Sequence, residues 1–321
     1  AGSLPEKGVN EVDDNKNIDN LIDESIKAYS SQVTVYKNGK KILDIKHKNE
    51  KHKIETSSLT KSFLAIAIMF LIQDKKINSV DDLVCKYIKS WKYGKKKDIT
   101  IKHILTHMSG LDIYWDYLKF MDKNNNVKDI SLTIDKIQEN DKKWYYNDSA
   151  SQIIPTLVHI ITNKQIDTYL NIKLFKPLDI KILWNKDKFG NCYGPNGLCI
   201  TTDNLCKIGL FFINKGKWKN KQILSKKLIN ELIKKRINKK QIIHHPNFTR
   251  FEGIGYAYLI WIYKDQYCMS GFLGEMLFIN PKKKIVASRL IHPKWNNKKF
   301  CKEQNSDNIH FRNFKKLIKK L

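Results

Sequence analysis

Ser58-Leu59-Thr60-Lys61-Ser62-Phe63-Leu64-Ala65-Ile66-Ala67-Ile68-Met69-Phe70-Leu71-Ile72 is the most apolar run in the chain. Apolar residues on nearly every face mark a helix buried all round in a large protein. The run is too short to span a bilayer and is bounded by Lys61 and by Asp74-Lys75-Lys76. Its first turn carries chemistry, because residues three apart share a helix face and the Lys61 ammonium can therefore reach the Ser58 hydroxyl. A serine hydroxyl is a weak nucleophile at neutral pH; it needs a base, and donors for the charge that forms on the attacked carbonyl. Lys61 supplies the base if burial and a cationic or phenolic neighbour lower its pKa. The dipole at the helix N-terminus favours the developing negative charge. A lone Ser-x-x-Lys also arises by chance, so the assignment depends on further stretches.

At 321 residues with 41% hydrophobic, the chain buries a large core as one compact unit or a large domain with an inserted lobe. The net charge of +27 raises the question of nucleic acid. Only Arg236, Arg250, Arg289 and Arg312 are arginines, and lysine, asparagine and isoleucine abound together, as an AT-rich genome encodes. The lysines are scattered and no basic stripe is interleaved with aromatics, so no specific nucleic-acid partner is expected, only attraction to acidic surfaces. Cys85, Cys192, Cys199, Cys206, Cys268 and Cys301 form no C-x-x-C pair and read as reduced core residues. No signal peptide or membrane span is visible. A cytoplasmic location is therefore weakly favoured, and export stays open because Ala1-Gly2-Ser3 resembles a cloning remnant.

Residues 1–17 are polar and read as a loose tail. Ile18, Leu21, Ile22 and Ile26 then recur at helical spacing. Residues 32–36 and 41–45 flank Asn38-Gly39, a strong hairpin signal. His103 and His107 stand four apart, but Ile104 occupies the position where a zinc-binding helix of this type needs glutamate, so structural histidines are expected and no metal. Pro155 is expected to kink the helix that follows residue 149. Residues 224–237 read as an amphipathic helix and residues 255–263 as the start of a series of strands.

Taken together, Ser58-Leu59-Thr60-Lys61 and residues 99–111 (ITIKHILTHMSGL) resemble the serine β-lactamase and penicillin-binding-protein superfamily. The similarity continues through Trp144-Tyr145-Tyr146-Asn147-Asp148, residues 174–178, 197–205 and 214–218, and Gly271-Phe272-Leu273-Gly274-Glu275. It covers roughly residues 30 to 290. Within the superfamily the chain looks most like the class C β-lactamase-related esterases and 6-aminohexanoate-oligomer hydrolases.

The resemblance implies roles residue by residue. Tyr146 matches the tyrosine of the second motif, with Tyr145 as the rival assignment, and a phenol near a lysine can relay protons. Whether Lys61 or Tyr146 is the base stays open. Asp148 stands where the family has an amide or hydroxyl, so a substrate donor gives way to an acceptor. Met269-Ser270-Gly271 matches the third motif without its cation, leaving Ser270 and Gly271 to line the substrate; the glycine would let the substrate approach the strand. The backbone N–H groups of Ser58 and Phe272 would form the oxyanion hole, and Glu275 replaces a common glutamine. Trp115 would contact substrate from residues 112–140, a segment that is either a lid or an ordinary surface insertion.

The expected fold is α+β: an antiparallel sheet flanked by N- and C-terminal helices plus a mostly helical lobe. The sheet lobe takes residues 18–57 and 251–321 and the helical lobe 58–250, with the nucleophile between them. The expected protein is a serine hydrolase acting through an acyl-enzyme on a small ester or amide, with no cofactor. A β-lactamase or D-alanyl-peptide hydrolase, and a catalytically silent scaffold, are the alternatives. The oligomeric state is not legible.

Overall fold

The computed structural model describes residues 9–27, 30–47, 52–113, 122, 124–291 and 309–321. Its strands are β1 (Gln32–Lys37), β2 (Lys40–Lys46), β3 (Ile54–Glu55), β4 (Leu183–Trp184), β5 (Leu198–Ile200), β6 (Lys217–Trp218), β7 (Lys221–Gln222), β8 (Ile237–Asn238), β9 (Gly255–Tyr256), β10 (Trp261–Tyr263), β11 (Gln266–Ser270), β12 (Met276–Asn280) and β13 (Ile285–Leu290). The helices that matter here are α1 (Val9–Lys27), α2 (Thr60–Gln73), α3 (Ile101–Leu105), α4 (Asp148–Ser151), α5 (Ile153–Thr162), α6 (Thr202–Ile213), α7 (Lys226–Ile233) and α8 (Ile309–Lys320).

Eight strands form one antiparallel sheet in the order β2-β1-β13-β12-β11-β10-β9-β8. The β1–β2 hairpin turns at Asn38 and Gly39, whose φ values of 51° and 76° are the left-handed pair a two-residue hairpin requires. β1 also pairs with β13, from Gln32 opposite Leu290 to Lys37 opposite Ile285, and so joins the two ends of the chain in one sheet. Alternation along β13 sends successive side chains to opposite faces. Val286 packs on Gly209 of α6 and Ser288 donates to Thr202 O at 2.7 Å, whereas Arg289 lies over the Phe314 ring of α8. α8 and α1 pack together, with Phe314, Ile318 and Leu21 buried. The α+β architecture expected from the sequence is the one observed.

Several boundaries differ. α1 begins at Val9, within the stretch read as a tail. The interruption expected near Pro155 falls at Gln152: α4 ends at Ser151 and α5 begins at Ile153, with Gln152 still in right-handed helical backbone, and Pro155 has no N–H for the carbonyl of Ser151 four residues before it. α7 stops at Ile233, and Ile237 lies in β8. Among the described residues no helix is long and apolar enough to cross a membrane. α2 is the central element, buried from Thr60 to Leu71, and it is entered through a 3-10 turn, Ser57–Leu59.

Candidate active site

The turn before α2 is held in an uncommon backbone state. Ser57 has φ 49°, left-handed for a non-glycine residue, which costs on the order of 1 kcal/mol and needs support from outside. Glu55 provides it, accepting from Ser57 N at 3.0 Å and from Gly197 N at 2.7 Å. Ser57 Oγ in turn donates to Glu275 Oε1 at 3.4 Å. Burial raises the Glu55 pKa above the usual carboxylate value, against the pull of these hydrogen bonds. The result fixes Ser58 at the mouth of the helix, where the first backbone N–H groups lack intrahelical partners.

Lys61, 1% exposed, reaches back along the helix and donates to Ser58 Oγ at 2.8 Å and to Pro195 O at 2.9 Å. Its Nζ is also 2.6 Å from Asp148 Oδ1 and 5.0 Å from the centre of the Tyr146 ring. Burial works to lower its pKa, but the Asp148 carboxylate, with Tyr146 after it, outweighs burial and holds it above the ordinary lysine value. This corrects the expectation that its neighbours lower that pKa: one of them is an anion. Pro195 and Glu55 are parts of the site that the sequence did not single out as functional.

Tyr146 and Asp148 flank Asn147, which locks the second segment. Asn147 Oδ1 caps α4 by accepting from Ala150 N at 2.9 Å, its Nδ2 donates to Leu111 O at 3.0 Å, and its backbone N–H donates to His107 Nδ1 at 3.2 Å. Tyr146, not Tyr145, lies beside Lys61; Tyr145 accepts a hydrogen bond on its hydroxyl from Lys143 at 2.8 Å. The Tyr146 ring stacks parallel to Trp261, 6.1 Å away, and leans on His107 and Phe248.

Both histidines are structural. His107 is buried and its pKa is held well below the ordinary value, by burial first and the Lys61 charge second. With Nδ1 accepting from Asn147, its proton sits on Nε2, 3.3 Å from Tyr256 Oη. His103 forms a capping box with Thr100 at the start of α3 and meets Asp141 through Nε2 at 3.0 Å.

The β11–β12 turn closes the other side. Met269, 0% exposed, is part of the core. Ser270, partly buried, ends β11 opposite Met276. A Cβ on Gly271 would lie 2.5 Å from Thr56 O, 2.6 Å from Glu275 Oε2 and 3.0 Å from Ser57 Cβ. The glycine is thus needed for the close approach of the Ser57 turn. Phe272 follows it and is 68% exposed.

Trp115, with Tyr117 and Phe120, lies outside the described residues. The base of the 112–140 segment is pinned by Asp112 N to Asp135 O at 2.8 Å and Ile137 N to Gly110 O at 2.9 Å.

Comparison with known proteins gives one family. The family model described as Beta-lactamase matches residues 18–302. A protein of Bacillus subtilis (strain 168) named penicillin-binding protein PbpX is 25% identical over 182 residues, 54% of this chain and 45% of that one, so the match spans less than half of that relative. Among solved structures, a Bacillus anthracis protein named for a 6-aminohexanoate-dimer hydrolase superposes with TM-score 0.75 at 16% identity, over 92% of this chain and 80% of that one. A penicillin binding protein from Bacillus halodurans gives TM-score 0.68 at 15% identity, over 92% and 98%.

Proposed function

Because the chain belongs to the Beta-lactamase family, we propose that it is a serine hydrolase forming an acyl-enzyme with a small ester or amide. The observation that carries this reading is the 2.8 Å contact between the buried Lys61 Nζ and Ser58 Oγ. Ser58 Oγ attacks the carbonyl when Lys61 has lost a proton to solvent, the minor form beside Asp148; the neutral amine takes the serine proton and, with Tyr146, carries it to the leaving group. The N–H groups of Ser58 and Phe272 receive the oxyanion, each donor contributing on the order of 10²–10³ in turnover. Water then releases the acyl group by the reverse proton path. Ser270 and Gly271 border the acyl carbonyl, and Asp148 fixes the charge on Lys61 rather than donating to the substrate.

Two other readings have an observation each. The penicillin-binding names among the relatives favour a β-lactamase or D-alanyl-peptide hydrolase, while the buried Met269 removes the usual anchor for a substrate carboxylate. A silent scaffold is favoured by the Lys61–Asp148 pair, since a lysine held as ammonium is no base.

Intact mass spectrometry after exposure to a fluorophosphonate, a p-nitrophenyl ester and a penicillin separates the three. The expected result is an adduct in wild type, absent in Ser58→Ala, with ester turnover faster than penicillin turnover. Fast penicillin turnover selects the second reading, and an unreactive serine the third.

A further inference from the structure

The turn Gly271–Glu275 carries the Phe272 N–H, and its own last residue controls its interior. Gly271 N donates to Glu275 O at 2.8 Å and Gly274 N to Gly271 O at 3.2 Å, closing the turn. The Glu275 side chain, 1% exposed, folds back inside it: Oε2 accepts from Leu273 N at 2.9 Å and Oε1 from Ser57 Oγ. One carboxyl thereby ties the residue after Phe272 to the residue before Ser58. From β13, Arg289 faces the same turn and donates to Gly274 O at 2.8 Å. From β3, Glu55 faces it with a negative charge across Ser57.

Both protonation states of Glu275 satisfy these contacts. Ionised, it accepts at both oxygens; protonated, it keeps Leu273 N–H on one oxygen and donates to Ser57 Oγ from the other. The turn therefore keeps its shape while its charge changes. A buried negative charge beside donors meant for an oxyanion opposes the charge that develops there.

We propose, on the premise of the hydrolase reading, that Glu275 is a positioning residue of the oxyanion hole that supports acylation as a neutral acid and slows it when ionised. Burial first, then the Glu55 charge, push its pKa up to about 7 against its hydrogen bonds and Arg289, so the change falls in the neutral range.

The test is the rate of Ser58 labelling by a fluorophosphonate, followed by intact mass between about pH 6 and about pH 9 in wild type, Glu275→Gln and Glu275→Ala. Relative to Glu275→Gln, the wild-type rate should fall through one titration at about 7. The deficit should reach on the order of tenfold on the alkaline side. Glu275→Ala, which leaves Leu273 N–H without its acceptor, should be slower at every pH. Identical pH profiles in wild type and Glu275→Gln overturn the proposal, as does a folded Gln variant that loses activity at all pH values. A wild-type Ser58 that stays unlabelled throughout overturns the hydrolase reading itself, so the two failures are distinct. The Gln variant alone decides the matter if the Ala variant does not fold.

Discussion

The three hydrogens of the Lys61 ammonium have three acceptors in reach, Ser58 Oγ, Pro195 O and Asp148 Oδ1. That arrangement suits the charged form, and Asp148 is the partner that makes it so. Removing the half-exposed carboxylate beside the buried ammonium leaves that charge uncompensated, which favours its neutral state. Asp148→Asn should therefore lower the Lys61 pKa, move the alkaline rise of the acylation rate to lower pH, and speed ester acylation at neutral pH by roughly tenfold. A pH–rate profile with an activated ester reads this directly; an unmoved alkaline limb excludes Lys61 titration as the controlling step. Lys61→Ala, which removes the cation that donates to Ser58 Oγ, should lose on the order of 10²–10⁴ in the same assay.

At the scale of elements, the site is a junction between a 3-10 turn and a strand turn, made by a glycine. The Ser57–Leu59 turn and β11 approach so closely at Gly271 that even a methyl group meets backbone, Thr56 O at 2.5 Å. Gly271→Ala should destabilise the fold by about 1–3 kcal/mol through overpacking. Urea unfolding checks it, and an unchanged midpoint rules out the tight junction. Elements defined by local signals were legible in the chain. Asn38-Gly39 dictates its hairpin because both residues tolerate positive φ, and the apolar α2 stands out without any partner. Helix ends were less so: Pro155 signals an interruption, but that the break falls at Gln152 only the folded chain shows.

For the whole molecule, stability is linked to the carboxyl groups trapped at that junction. Burial pushes the Glu275 pKa up to about 7, above its ordinary value of 4.5. Between those values the native state holds more protons than the unfolded chain, so stability falls as pH rises through that window and stays lower above it. Glu275→Gln removes this slope and should be more stable than wild type at about pH 8 by on the order of 2–3 kcal/mol. Denaturant midpoints across pH test the sign; a wild type that gains stability over the window, relative to the Gln variant, refutes it.

The chain by itself determined the family pattern, the buried α2, the Ser58–Lys61 spacing and the joining of both termini to an α+β fold, because each is written in residue type and short-range periodicity. Tertiary structure alone decided three things. Asp148 became the counter-ion of Lys61, and with it reversed the expected direction of the lysine pKa. Glu275, a plain replacement in the sequence, became the bridge between the Gly271–Glu275 turn and Ser57. Gly271 proved to admit the backbone of Thr56. In each case the cause is a distance between segments remote in sequence, Lys61 with Asp148 and Ser57 with Glu275, and in a desolvated site that distance sets which charges meet.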